Sequence, residues 1–167
     1  FYAMDRAEHW NLTEQTYRAM VFGEGEKAGS AQQAISDNYD KHIYDEMIPP
    51  TVILQDDGKI CTIEDNDSII HFNFRPDRAL QLTRAFAETG FNKFAKPLKP
   101  FKNLFVATMT ELAKDLKVTV AFPPQEVTNG TAELLSKKGL RQFHIAESEK
   151  YAHVSVFFNG GVINPFP

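Results

Sequence analysis

An α/β fold is predicted by three features of the sequence. Short β-branched and apolar runs alternate with helix-length segments, the pattern of stacked sheet and helix layers. The apolar run Ile69 to Phe74 passes without a spacer into a helical run, Pro76 to Glu88. Thr51-Val-Ile-Leu54 and Ile60-Cys-Thr-Ile63 flank Gln55-Asp-Asp-Gly58-Lys59, and Asp-Gly between β-branched runs signals a hairpin. A hairpin brings antiparallel neighbours, so the expectation is a mixed β-sheet sandwiched by helices.

The elements follow in order. Met4 to Met20 reads as a helix, because Trp10, Tyr17 and Met20 recur at helical spacing. Asp5 is its expected cap, which places Arg6 in the first turn. Gly23-Glu-Gly25 breaks that helix, and Ser30 caps a second one, Ala31 to Tyr39. Ile48-Pro-Pro50 forces an extended path. Leu80, Leu82, Ala85 and Phe86 are the expected buried face of the Pro76 to Glu88 helix, with Gly90 as its C-cap. Lys93 to Lys102, broken by Pro97 and Pro100, reads as a loop. Leu104 to Thr110 reads as a strand, Glu111 to Leu116 as a short helix and Val118 to Phe122 as a strand. Pro123-Pro124 is the expected boundary between a domain at 1–122 and a second at 123–167. In the second, a helix from Thr131 to Lys138 closes at Gly139, and strands are expected at Arg141 to Ala146 and Lys150 to Phe158.

Composition narrows the function. The chain has 167 residues, 43% hydrophobic and 24% charged, ordinary values for a soluble globular chain with a real core. A net charge of −4 gives no reason to expect nucleic acid as a partner, and any anion site must be a local cluster. The single cysteine, Cys61, excludes an internal disulfide and fits a reducing, cytoplasmic compartment. No apolar run is long enough to cross a bilayer, so no membrane partner is expected. The chain opens at Phe1 and closes on Asn-Pro-Phe-Pro167 after a strand-like run, as expected of a piece of a longer protein.

The sequence holds no Gly-x-Ser-x-Gly elbow, Walker loop, Rossmann fingerprint or His-Glu-x-x-His. The histidines His9, His42, His71, His144 and His153 lack metal spacing and are expected in structural roles. Asp56, Asp57, Glu64, Asp65 and Asp67 are explained by turn chemistry, and Cys61 is expected to be packed in a hairpin strand. What remains is cationic. Arg75 and Arg78 stand where a strand hands over to a helix, beside Pro76 at a favoured first-turn position. The positive end of a helix dipole and two planar guanidinium forks make an anion-seeking corner there. Arg6 and Lys150 are further candidates. A plainer reading stays open: Asp77 as a helix-start acid with both arginines solvated, and Lys150 balanced by Glu147 and Glu149.

Five stretches carry a family resemblance: Phe1-Tyr-Ala-Met-Asp-Arg6, Phe72-Asn-Phe-Arg-Pro-Asp-Arg-Ala79, Val120-Ala-Phe-Pro-Pro124, Ile145-Ala-Glu-Ser-Glu-Lys-Tyr-Ala-His-Val154 and Phe157-Phe-Asn-Gly-Gly161. In this order they resemble the middle third of the cofactor-independent (2,3-bisphosphoglycerate-independent) phosphoglycerate mutases. The resemblance implies a two-domain, manganese-dependent glycolytic isomerase that interconverts 3-phosphoglycerate and 2-phosphoglycerate. Its phosphatase-like domain, similar to alkaline phosphatase, carries the serine nucleophile and two Mn2+ ions. A second domain holds the glycerate. It implies substrate binding by Arg6, Arg75, Arg78 and Lys150, with Lys150 as a point charge from the phosphatase side. Residues 1–122 then correspond to most of the phosphoglycerate-binding transferase domain. Residues 123–167 correspond to the start of the returning phosphatase domain, a short β/α piece.

The nucleophile and metal ligands are implied to lie outside this chain, so the 167 residues alone are expected to be inactive and metal-free, and the parent a cytoplasmic monomer. His71 departs from the family, standing where a second aromatic is usual, and Ala7-Glu8-His9 replaces a more charged run. The alternatives are a stand-alone anion-binding or interaction module, or a related metal-dependent phosphatase-superfamily mutase such as a phosphopentomutase.

Overall fold

Tyr17 is the largest fully buried side chain of the first unit. In a computed structural model, which describes residues 1–96, 100–125 and 127–166, its side chain is 1% exposed. It sits on helix α1 (Trp10–Phe22) and meets the Phe86 ring at 4.8 Å and the Phe94 ring at 5.3 Å. Val21, Leu82 and Ala85 complete this core, with Met20, Phe91 and Phe101 packed against it. Aromatic rings carry large apolar surfaces, so their packing here favours the folded state. Burial also pushes the Tyr17 hydroxyl's pKa up.

The chain divides into two compact units, Phe1–Pro123 and Pro124–Pro167. In the first, α1 ends at Gly23, whose φ of +65° is left-handed, a conformation glycine adopts without a Cβ clash. Strand β1 (Glu26–Ala28) follows. Ser30 then caps α2 (Ala31–Asp40), its hydroxyl accepting from the Gln33 amide at 3.1 Å, as the sequence predicts. Beyond Ile48-Pro-Pro50, strand β2 (Thr51–Ile53) pairs with β1 in parallel. Strands β3 (Ser68–His71), β4 (Phe105–Thr110) and β5 (Thr119–Phe122) form a second parallel sheet in that order. Helix α3 (Pro76–Ala87) connects β3 to β4 and packs on α1.

The α/β class holds, but the hairpin does not form. The Asp-Gly turn exists, with Gly58 and Gln55 amides bonded to the Gln55 and Lys59 carbonyls at 2.8 and 2.9 Å. Its second arm is not a strand. Ile63 instead gives its amide to the Met20 carbonyl at the end of α1, and Ile60 packs over Gly23. The first arm finds β1 as its partner, so every strand pair among the described residues is parallel. Cys61 is accordingly exposed, not packed in a strand.

Other boundaries shift. Four residues separate β3 from α3, and α3 stops at Ala87 with Glu88 as C-cap while Gly90 lies in the turn beyond. Ala79, Leu82 and Ala85 are buried on α3, whereas Leu80 and Phe86 are half-buried. Glu111 to Leu116 forms a turn, not a helix. Part of the predicted Lys93 to Lys102 loop, residues 97–99, lies outside the described residues.

The second unit carries α4 (Thr131–Lys137), closed at Gly139 with a φ of +67°. Neither expected strand is present among its described residues. The Lys150 to Phe158 run is helical, with a 3-10 turn at Ser148–Lys150 and a π turn at His153–Phe157. A strand satisfies its backbone only through a neighbouring strand. Without one, the apolar run bonds locally, as in the Phe158 amide to the His153 carbonyl at 3.2 Å. Phe143 and Ile145 remain 84% and 78% exposed.

The core makes a direct prediction. Tyr17→Ala removes the ring shared by α1 and α3 and is expected to destabilise the chain by about 3–5 kcal/mol in urea denaturation. A loss below about 1 kcal/mol would contradict the packing described.

Candidate functional site

The lead-in loop before α1 is held by one buried carboxylate. Asp5 is 4% exposed. Its Oδ2 accepts the His9 amide at 2.8 Å, the Ala7 amide at 3.2 Å and Gln81 Nε2 at 3.0 Å, while Oδ1 meets His9 Nδ1 at 2.9 Å. Gln81 on α3 also donates to Thr13 Oγ1 at 3.1 Å and accepts the Glu8 amide at 2.9 Å. Helix α1 therefore begins at Trp10, not Met4. Asp5 captures amides that a helix would have used, and Glu8 turns the chain at a φ of +62°. Asp5 is a loop anchor and not the cap predicted, and Arg6 lies in the loop, ahead of the helix.

This anchoring sets Arg6 beside the start of α3. Arg6 Nη1 donates to Asp77 Oδ2 at 2.7 Å. Arg75 reaches the same carboxylate through Nε at 2.8 Å and Nη2 at 3.2 Å, a two-pronged contact suited to a planar acid. Arg78 Nη1 donates to the Met4 carbonyl at 3.0 Å. Arg6 and Arg78, with Asp5, His9, Phe1 and Tyr2, line a cleft of about 490 Å³. Arg75 adjoins it through Asp77. Arg6 and Arg75 share the Asp77 carboxylate, whereas Arg78 is held by a neutral carbonyl. Arg6 and Arg75 are about half exposed, so their forks are reachable from solvent.

Burial works to raise the Asp77 pKa, but hydrogen bonds from Arg75 and Arg6 outweigh it and hold the carboxyl below its ordinary value. Asp5 shows the same balance: burial raises it, and the bonds from His9, Gln81 and Ala7 bring it down on balance. Burial depresses the pKa of His71, whose Nδ1 pairs with Thr83 Oγ1 at 2.8 Å, a packed structural role. Thr110 Oγ1, at the end of β4, donates to the Phe74 carbonyl at 3.1 Å. This ties the corner to the carboxyl end of the parallel sheet, where α/β proteins bind ligands.

Three of the four sequence-predicted cations thus come together. Lys150 belongs to the second unit, where it ends the exposed 3-10 turn. Sequence reasoning missed two partners. Asp77 bridges arginines from two segments, and Gln81 joins α3 to the loop. Gln81 had one signal, a polar residue four positions before Ala85 on the side of the helix expected to be buried. A cleft of about 540 Å³ lies elsewhere in this unit, lined mainly by Tyr17, Phe86, Phe91 and Phe101. Lys96 in its lining donates to the Ala85 carbonyl and has its pKa lowered, chiefly by burial. It brings no set of guanidinium forks together. Among the described residues no cluster of three His, Cys, Asp or Glu side chains could hold a metal ion, and no helix is long and apolar enough to cross a membrane.

The described part of the first unit is an α/β domain with parallel sheets, and an arginine-rich corner at a helix start is an arrangement chemically suited to small anions. The family described as BPG-independent PGAM N-terminus matches residues 1–114. The chain belongs to that family. It is 48% identical, over 97% of its length, to the 2,3-bisphosphoglycerate-independent phosphoglycerate mutase of Acetivibrio thermocellus. It is 49% identical over 99% to that of Clostridium acetobutylicum. It spans 32% of the length of each. Among solved structures it matches a Leishmania mexicana phosphoglycerate mutase, determined at low cobalt concentration, with a TM-score of 0.73 and 32% identity. That match covers 100% of this chain and 31% of the other.

The Asp5 network sets an acid limit. A depressed carboxylate contributes stability that is full above its ordinary value of 3.8 and is lost as pH falls through the folded value. Asp5→Asn is expected to lower stability at pH 7 and to flatten the stability profile between pH 5 and the acid transition, on an approximate scale. An unchanged acid limb in denaturant titrations would contradict the role given to Asp5.

Proposed function

We propose that this chain forms the substrate-holding part of a 2,3-bisphosphoglycerate-independent phosphoglycerate mutase, a glycolytic isomerase interconverting 3-phosphoglycerate and 2-phosphoglycerate. The relatives' names support this reading, and they favour it over a phosphopentomutase or a stand-alone binding module. The observation that carries it is the meeting of Arg6 and Arg75 on one carboxylate, with Arg78 in the adjoining cleft. Phosphoglycerate is a small polyanion bearing a carboxylate and a phosphate. Planar forks on a rigid helix start would fix its orientation with little loss of freedom on binding. Lys150 is assigned to the same substrate by resemblance, as a mobile point charge.

The phosphoryl transfer itself is assigned to polypeptide beyond these 167 residues. A cationic corner stabilises negative charge but supplies no nucleophile. On this reading the serine nucleophile and two Mn2+ ions belong to an alkaline-phosphatase-like domain of a cytoplasmic, monomeric enzyme. Residues 1–122 belong to the phosphoglycerate-binding domain and residues 123–167 to the returning phosphatase domain.

In the full-length enzyme, Arg75→Ala and Arg78→Ala are each expected to weaken phosphoglycerate use at least tenfold, on the order of 1.5–3 kcal/mol for a lost charged hydrogen bond. Steady-state KM and kcat measure this, and unchanged values in both variants would retire the assignment. The purified 167-residue chain is expected to show no mutase turnover in a coupled assay. Turnover that survives removal of contaminating enzyme would overturn that division of labour.

A further inference from the structure

The substrate reading leaves the Asp77 carboxylate without a role, although it is the group on which two candidate arginines meet. We propose that Asp77 is a positioning residue for phosphoglycerate binding: it fixes the spacing and orientation of the Arg6 and Arg75 guanidiniums so that their remaining donors face the substrate. The inference rests on the reading that this corner binds phosphoglycerate.

Two like-charged side chains on different segments repel one another and lose rotamer freedom when fixed together. A carboxylate shared between them offsets both costs. Asp77 is itself well fixed. It follows Pro76 in the first turn of α3, where the helix dipole favours negative charge. Its contacts leave room for a second anion. A guanidinium has five N–H donors. Asp77 takes one from Arg6 and two from Arg75, so more than half of the donors on this pair are not used by it. The carboxylate also stays ionised, since the two arginines' hydrogen bonds outweigh the effect of its partial burial.

A competing arrangement has the opposite consequence. If substrate displaced Asp77 from the forks, Asp77 would be an internal competitor, and its removal would tighten binding. Displacement would strand an ionised, partly buried carboxylate without its three hydrogen bonds, which is costly. Arg75 is also only two residues away and engages side-on. Positioning is therefore the arrangement the geometry favours.

Steady-state kinetics of the full-length mutase separates the two. Asp77→Asn keeps the shape and removes the charge. It is expected to raise KM for 3-phosphoglycerate about tenfold or more, with a smaller change in kcat. Asp77→Glu is expected to restore part of the loss. Combined with Arg75→Ala, Asp77→Asn is expected to add less than its single effect, because it acts through that side chain. An unchanged or lowered KM in Asp77→Asn overturns the proposal. If that variant fails to fold, Asp77→Ser, which also removes the charge, decides: a raised KM supports positioning, and an unchanged or lowered one overturns it. Arg75→Ala is run in parallel. If it too is without effect, the substrate reading fails. If it is impaired while Asp77→Asn is not, only the role of Asp77 fails.

Discussion

The buried Asp5 carboxylate is the constraint on which the corner depends. It satisfies two loop amides and the Gln81 side chain at once, so the loop before α1 has one conformation available against α3. A buried acid without donors would cost several kcal/mol on an approximate scale, and the loop cannot leave α3 without exposing Asp5 or stranding Gln81. Arg6 is carried to Asp77 as a consequence. The arrangement of the corner is in this sense inherited from a structural hydrogen-bond network one residue away.

The parallel sheet supplies the other half of the geometry. Strand β3 delivers the chain to the start of α3, and the Thr110 hydroxyl at the end of β4 steadies the intervening loop through the Phe74 carbonyl. Arg75 serves as the N-cap residue of α3, with its amide held by Asn73 Oδ1 at 3.0 Å. The backbone beneath the guanidinium is fixed on both sides. Its side chain is half exposed, so a prepositioned fork with donors left over from Asp77 is open to solvent. The pairs are solvent-screened one by one, and each would contribute little to stability alone. Their value lies in arrangement.

Local signals carried the reading of the sequence where the determining contacts are themselves local. Ser30 capping α2 and Pro76 opening α3 depend on neighbours within a few residues, and both were legible. The Asp-Gly turn was legible too, but its consequence was not. Thr51–Ile53 pairs with Glu26–Ala28, and no pattern near residue 55 records a partner so far upstream. The Lys150 to Phe158 run has strand composition, yet strand formation depends on a neighbour that the described part of its unit does not provide. The site divides in the same way. Arg75 and Arg78 were visible as a pair at a strand-to-helix junction, and Arg6 and Lys150 were singled out by charge and family resemblance together. Asp77's bridging role rests on a contact across 71 residues with Arg6, which no local spacing encodes. Asp5 reads as a cap because a short acid before an apolar period usually is one.

On the proposed function, Arg6, Arg75 and Arg78 converge on one small polyanion. A crystal structure of the full-length enzyme with 3-phosphoglycerate bound tests it most directly. The expected result is a single ligand within hydrogen-bond distance of all three guanidiniums, with Asp77 still joined to Arg6 and Arg75. A ligand bound elsewhere, with Arg6 and Arg75 touching only Asp77 and Arg78 only the Met4 carbonyl, would contradict the account.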